Sequence, residues 1–449
     1  MRLHLPIIGV FCGRMSEPVP KHPTHAATRA LAAIGAGTIL FYGSRMLLSM
    51  FGPVIPYSMR DGTDCDLDSV AFSRFLSVIT DGTIRGARIT RLKNGAQFYP
   101  AQMDAIRRAK RSINLESYEF MEGEIASQML DALTERASAG VEVRVIVDAI
   151  GSFATRSGYF DRLLAAGGQM RWYHPVRWIS LQTINNRTHR KLLIVDGEAG
   201  FIGGAGVGDF WMYSTPNEPA WRDTMFSVEG DAVAGLISTF SENWLEASGE
   251  ILSGPAQFTS MIEPGGATSF VVSSTPHGGG TQARVLFQAL VKSARQSIRI
   301  TTPYFLPDHS ARAALIEAVR KRGIQVQILT AGPHIDHPVI RRVSRRGSRH
   351  LLQAGAEIFE YQPAMIHAKL MTVDGQWSVF GSTNFDHRSF ALNDEVNMAV
   401  LDRDLAAVIE GDFFDDLKQS RRLTLEMLER RSVLGKIEAV TDHALELEG

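Results

Sequence analysis

Two patterns of apolar and polar positions alternate along this chain: helical stretches closed by glycine, and short β-branched runs that follow them. Ala139-Gly-Val-Glu-Val-Arg-Val-Ile-Val147 and Arg322-Gly-Ile-Gln-Val-Gln-Ile-Leu329 each read as a glycine helix stop leading into a strand. Ala109-Lys-Arg-Ser-Ile113 before Asn114-Leu-Glu-Ser-Tyr-Glu-Phe120, and Ala294-Arg-Gln-Ser-Ile298 before Arg299-Ile-Thr-Thr-Pro-Tyr-Phe305, read as helix ends running into strands. Leu163-Leu-Ala-Ala-Gly167 and Leu351-Leu-Gln-Ala-Gly355 add a third pair in the same order. The repeated order marks a duplication. Strands alternating with helices predict an α/β fold, with two α/β/α halves, each around a central mixed, mostly parallel sheet.

The halves are placed at residues 88–253 and 268–430, joined through Gly254 to Thr268, where Pro264-Gly-Gly266 interrupts any regular element. Asn94-Gly95, after Ile89 to Leu92, marks a turn near the start of the first half. Gly167 and Gly355 are offset by 188 residues and His189 and His367 by 178, so the first half carries ten more residues between Pro175 and His189. Residues 1–60 have no counterpart and form an appendage. Within it Ala30 to Ser44 and Met46 to Met59 are uncharged runs separated by Arg45. Each is shorter than the roughly 20 residues of a spanning helix. A membrane-lying segment and a packing helix both fit.

At 449 residues the chain is long enough for two cores. Lys plus Arg number 47 against 48 Asp plus Glu, a net charge of -1, which argues against a general nucleic-acid binder. The only cysteines, Cys12 and Cys65, fit neither a zinc site nor a disulfide framework, and no cluster has metal-ligand spacing. Neither a metal nor another cofactor is expected.

The duplicated chemistry is a His-x-Lys-x4-Asp motif at His189, Lys191, Asp196 and again at His367, Lys369, Asp374. One such motif arises by accident in roughly one chain of this length in thirty; two at equivalent places of a repeat do not. On an extended strand, residues two apart share a face, so each motif presents an imidazole beside an ammonium, a pair suited to phosphate. Asp196 and Asp374 are each followed by Gly, where a strand ends in a turn, and are read as organising the site from behind. Small-residue turns follow, Gly203-Gly-Ala-Gly206 and Gly381-Ser-Thr-Asn384, in which backbone and short side-chain donors such as Ser382 and Asn384 approach phosphate oxygens. Asp223 and Glu395 lie 34 and 28 residues beyond the histidines of their own halves and are read as carboxylates that orient an imidazole.

These motifs resemble the phospholipase D superfamily and, within it, the bacterial cardiolipin synthase branch. The branch likeness rests on Asn186-Arg-Thr-His-Arg-Lys191, Phe201-Ile-Gly-Gly204 before Asp209, Thr302-Pro-Tyr-Phe305, Gly381-Ser-Thr-Asn-Phe-Asp386, Arg388-Ser-Phe390 and Asn393-Asp-Glu-Val-Asn397. Gly206 departs from it, standing where synthases carry Asn. The resemblance implies two phospholipase D-like halves forming one active site at their interface and a two-step displacement through a phosphohistidine. It assigns His189 as nucleophile and His367 as acid and then base; the near symmetry of the halves also admits the reverse. Lys191, Lys369, Asn384 and Ser382 would hold the phosphoryl oxygens. The implied partners are an anionic phospholipid such as phosphatidylglycerol and a membrane surface, with the bacterial inner membrane as the expected location. Phospholipid hydrolysis and nuclease action are the competing activities. Arg341, Arg342, Arg345, Arg346 and Arg349 fit either an attractor of lipid headgroups or a solvated helix face, and Trp172, Tyr173, Trp178 and Ile179 either a rim over the site or core.

Overall fold

The computed structural model describes residues 57–59, 62–175, 185–216, 218–258, 266–275 and 282–429, together with 35, 37 and 38. Most of the N-terminal appendage, and Trp178 and Ile179, lie outside the described residues. No helix among the described residues is long and apolar enough to cross a membrane.

Among the described residues eighteen strands carry the fold. In the first half they are β1 (Arg85–Lys93), β2 (Ser112–Ser117), β3 (Glu142–Asp148), β4 (Gln169–Tyr173), β5 (Arg187–Thr188), β6 (Lys191–Val195), β7 (Ala199–Gly203) and β8 (Thr224–Glu229). The second half has β9 (Ala267–Ser274), β10 (Ser297–Thr301), β11 (Phe305–Leu306), β12 (Gln325–Ala331), β13 (Glu357–Tyr361), β14 (Leu370–Val373), β15 (Trp377–Gly381), β16 (Phe385–Asp386), β17 (Asn393–Leu401) and β18 (Ser420–Arg422). Fifteen of them run in the order β18-β13-β12-β10-β14-β15-β17-β9-β1-β8-β7-β6-β2-β3-β4, β5 joins the same sheet on β17, and β11 pairs with β16 apart from it.

The order reads the same from both ends toward the β9–β1 junction: β4-β3-β2-β6-β7-β8-β1 on one side, β13-β12-β10-β14-β15-β17-β9 on the other. At the junction Arg85, Gly86 and Ala87 pair antiparallel with Ser269, Thr268 and Ala267, so one sheet passes through both halves. The expectation of a mostly parallel sheet needs correction. Along that strand order only the β2–β3–β4 and β10–β12–β13 ladders are parallel, besides the two-residue pairings of β5 with β17 and β11 with β16. Four ladders per half, counted from β2 to β1 and from β10 to β9, are antiparallel. Helix–strand alternation governs only the first part of each half; beyond the motif, hairpins turned at Asp196-Gly197 and Asp374-Gly375 take over.

Helices cover both faces. On one, Gly95–Arg108 and Glu124–Ser138 pack over the first half, and Val70–Thr80, Gln282–Ser293 and His309–Arg322 over the second. On the other, Val233–Ser248 and Arg403–Lys418 cover a core that draws Leu192, Ile194 and Phe226 from one half and Leu370, Phe380 and Met398 from the other. Phe226 and Phe380 stack across the halves at 3.8 Å between ring centroids. Each fully buried ring of this size contributes about 1.5–3 kcal/mol relative to exposure, so the halves are joined by packing as well as by the sheet. Trp172 packs edge-on to Phe160, and Tyr173 is fully buried with its hydroxyl donating to Asp394 at 2.6 Å. These two aromatics are core.

Candidate active site

Alternation along the chain sorts each motif between faces. Arg190 turns away from its neighbours toward the helix Val233–Ser248, donating to the Thr239 carbonyl at 2.6 Å and Glu242 at 2.7 Å. His189 and Lys191 face the other way, and Lys191 donates to the His189 carbonyl at 3.0 Å. The second motif repeats this, with Ala368 in the shared core and Lys369 donating to the His367 carbonyl at 2.6 Å.

Asp196 and Asp374 sit at the far ends of β6 and β14, in left-handed backbone at φ 55° and 53°. Asp196 accepts from the backbone N–H groups of Lys110, Arg111 and Ser112, and Asp374 from those of Arg295, Gln296 and Ser297. Each aspartate ties the end of its motif strand to the start of the adjacent strand, β2 or β10. That sets the register of the strand carrying the lysine.

Each histidine is hung on the other half of the molecule. β5 runs parallel to the start of β17, and His189 N–H donates to the Asp394 carbonyl at 2.9 Å. Glu395 comes next, and His189 Nδ1 lies 3.0 Å from its Oε1. In the mirror arrangement Arg222 bridges to Ile366, His367 N–H donates to the Arg222 carbonyl at 2.7 Å, and His367 Nδ1 lies 2.9 Å from Asp223 Oδ2. Asp223 and Glu395 do contact the imidazoles, but each serves the histidine of the opposite half.

The supports of the two carboxylates differ. Ser382 is fully buried; its hydroxyl donates to Glu395 Oε2 at 2.5 Å and accepts the Val396 N–H at 3.0 Å. Reading Ser382 as a phosphate ligand therefore needs correction, because its hydroxyl is engaged behind the carboxylate. Asp223 is held by Trp211 Nε1–H at 3.0 Å and by the Thr224 N–H at 2.7 Å. Gly204, at the place of Ser382, leaves room for it: a Cβ there would lie 2.5 Å from Asp223 Oδ1. Asn384 is buried beside the same turn, and its Oδ1 has no hydrogen-bond partner among the described residues.

Burial, against the pull of Glu395 and Asp223, holds both imidazoles down to about 4. Lys191 and Lys369 each lower both histidines, which places the two motifs in one electrostatic site. Burial lowers Lys191, and burial with Lys191 alongside lowers Lys369 to about 7. Asp223 and Glu395 are lowered against their burial by the imidazoles they hold and stay ionised. Both rings therefore rest neutral near pH 7.

Several neighbours gave no motif signal. Tyr118 stands edge-on to His189 at 5.1 Å and beneath Lys191 at 5.2 Å, while Trp211 and Trp221 flank His367 at 5.7 and 5.3 Å. Arg341 and Arg345 turn inward onto Glu360, at 2.6 and 2.5 Å, so these two are structural rather than free to attract headgroups.

The chain matches the family described as cardiolipin synthase, PLD-like domain, over residues 103–210 and 287–417. It is 34% identical over 340 residues to the cardiolipin synthase of Oceanobacillus iheyensis, covering 76% of this chain and 71% of that one. It is 34% identical over 349 residues to cardiolipin synthase 2 of Bacillus anthracis, covering 77% and 68%. The chain belongs to the cardiolipin synthase family of phospholipase D-like proteins. The crystal structure of phosphatidylserine synthase from Haemophilus influenzae Rd KW20 shares the fold, with a TM-score of 0.65 at 13% identity over 84% of this chain and all of that one. Within this family frame both motifs fall in the matched segments, whereas Asp223 lies beyond the first of them.

Proposed function

We propose that this chain is a membrane-associated phosphatidyltransferase of cardiolipin synthase type, acting on an anionic phospholipid such as phosphatidylglycerol at the bacterial inner membrane. The observation that carries the reading is the crossed pair of imidazole–carboxylate contacts, which makes one two-histidine site out of both halves. A carboxylate on Nδ1 leaves Nε2 as the reactive nitrogen of each ring.

His189 is the nucleophile. No described residue hydrogen-bonds its Nε2, whereas Lys369 Nζ stands 2.9 Å from both ring nitrogens of His367 and crowds that ring in the resting site. His189 attacks phosphorus, the bond to the departing alcohol oxygen breaks, and His367 protonates that oxygen. With phosphatidylglycerol as donor the alcohol released is glycerol. An anionic phosphodiester between the rings raises the imidazole pKa, so that His367 takes up a proton from solvent as substrate binds and holds it for the departing oxygen. In the second step a hydroxyl of another lipid attacks the phosphohistidine, His367 takes its proton, and His189 is regenerated. Lys191, Lys369 and Asn384 hold the phosphoryl oxygens.

The test is mass spectrometry of products from phosphatidylglycerol vesicles, beside His189→Ala and His367→Ala. Cardiolipin from the unmutated protein alone supports the reading. Phosphatidic acid alone means hydrolysis, and histidine-dependent cleavage of single-stranded DNA in a parallel reaction, with no lipid product, means a nuclease.

A further inference from the structure

The two half-sites differ at the turn that follows each motif. Gly206 stands 178 residues before Asn384, the same offset as His189 and His367, so one half presents an amide where the other has no side chain. Glu119 occupies the space. A Cβ on Gly206 would lie 2.7 Å from the Glu119 carbonyl oxygen, 3.2 Å from its Cβ and 3.3 Å from its Oε2. The segment is pinned there by the Val207 N–H on the Glu119 carbonyl at 2.8 Å and by the Phe120–Val207 bridge. In the second half the same place belongs to Tyr304, whose hydroxyl donates to Asp336 at 2.5 Å. A carboxylate therefore replaces an aromatic ring in the half that has lost its amide.

Glu119 is half-buried, and its Oε2 is shielded from solvent without a hydrogen-bond partner among the described residues. Burial raises its pKa; Lys191 and Lys369 oppose that, and Asp336 and Asp223 add to it. Both phosphate-reading lysines thus act on this group. A carboxylate oxygen accepts hydrogen bonds and repels phosphoryl oxygens, so it is matched to the hydrogen-bond-donating part of a substrate. In a phosphatidyl transfer that part is the attacking hydroxyl of the second step.

We propose that Glu119, in the space left open by Gly206, binds the hydroxyl-bearing polyol headgroup of the acceptor and positions it against the phosphohistidine. The inference rests on the transferase reading above and assigns the acceptor side of the same site. Glu119 thereby sets the choice between lipid hydroxyl and water.

The experiment measures the ratio of cardiolipin to phosphatidic acid made from phosphatidylglycerol vesicles by the full chain and by Glu119→Gln. A hydrogen bond to a charged group is worth about 1.5–3 kcal/mol, so the ratio falls about 10- to 100-fold as water resolves the intermediate. Glu119→Asp, which keeps the charge but withdraws it, shifts the ratio the same way and serves if the first variant does not fold. Incorporation of labelled glycerol into phosphatidylglycerol, the reverse use of a polyol acceptor, falls in parallel. Either an unchanged ratio with both products lowered together, or undiminished glycerol incorporation, overturns the inference while the transferase reading stands. An unmutated protein that makes no cardiolipin removes both.

Discussion

Glu395 Oε1 and His189 Nδ1 are 3.0 Å apart although 206 residues separate them, and the carboxylate of the histidine's own half, Asp223, is engaged elsewhere. Orientation of each reactive ring is therefore a property of the assembled pair of halves. Glu395→Gln, which keeps the shape but reverses the preferred tautomer, is expected to slow turnover about 10²- to 10⁴-fold. Asp223→Asn is expected to do the same. The pairing itself is read from imidazole nitrogen chemical shifts: Glu395→Gln moves those of His189 and leaves those of His367. The opposite assignment would restore pairing within each half.

The pH dependence follows from the shifts in the free site. His189 must be neutral to attack, and its pKa is held to about 4, so kcat/KM on a soluble chromogenic phosphodiester falls on the acid side only near that pH. His367 must carry the proton for the departing oxygen and is likewise held to about 4 in the free site, so kcat/KM peaks near that pH and declines above it, more steeply once Lys369, lowered to about 7, loses the charge that holds the phosphoryl oxygen. An acid limb near the ordinary imidazole value, or a profile flat well into alkaline pH, contradicts these assignments.

Ser382 separates positioning from binding. If its hydroxyl acts through Glu395, Ser382→Ala lowers kcat about 10-fold, in line with loss of one hydrogen bond to a charged group, and leaves KM unchanged. A rise in KM with kcat preserved would instead return Ser382 to the phosphate.

The motif aspartates are expected to matter for stability more than for chemistry. Asp374→Ala removes the acceptor of three backbone N–H groups and places alanine in left-handed backbone, a loss of about 3 kcal/mol measured by denaturant unfolding. Asp374→Asn, which tolerates that backbone, loses less. Full stability with abolished turnover would move Asp374 into the chemistry.

The duplication and the two motifs were legible because each depends on local spacing: a period of two along a strand, an Asp-Gly turn, a recurring order of landmarks; Asp223 and Glu395 were singled out, but not with the histidines they contact. The crossing of partners was not legible, because it follows from β5 lying on β17 and Arg222 bridging Ile366, contacts between distant residues that no local pattern encodes. The sheet direction was misjudged for a related reason, since helix–strand alternation is seen readily and the hairpins after each motif are marked only by two residues. The buried position of Ser382 escaped because a serine in a small-residue turn looks the same whether its hydroxyl faces substrate or a neighbouring carboxylate. Glu119 had one signal, the missing Asn at Gly206.

The β1–β9 ladder, which makes one sheet of two repeats, has a consequence for how such a site diversifies. In a symmetric dimer of identical chains every substitution enters both half-sites together. A change that suits the acceptor side then damages the donor side. Here the partners are covalently one chain, and Gly206 and Asn384 descend separately from the same place in the repeat. The fused sheet keeps the two-fold scaffold that brings the two imidazoles into one electrostatic site while releasing the side chains around them from obeying that symmetry.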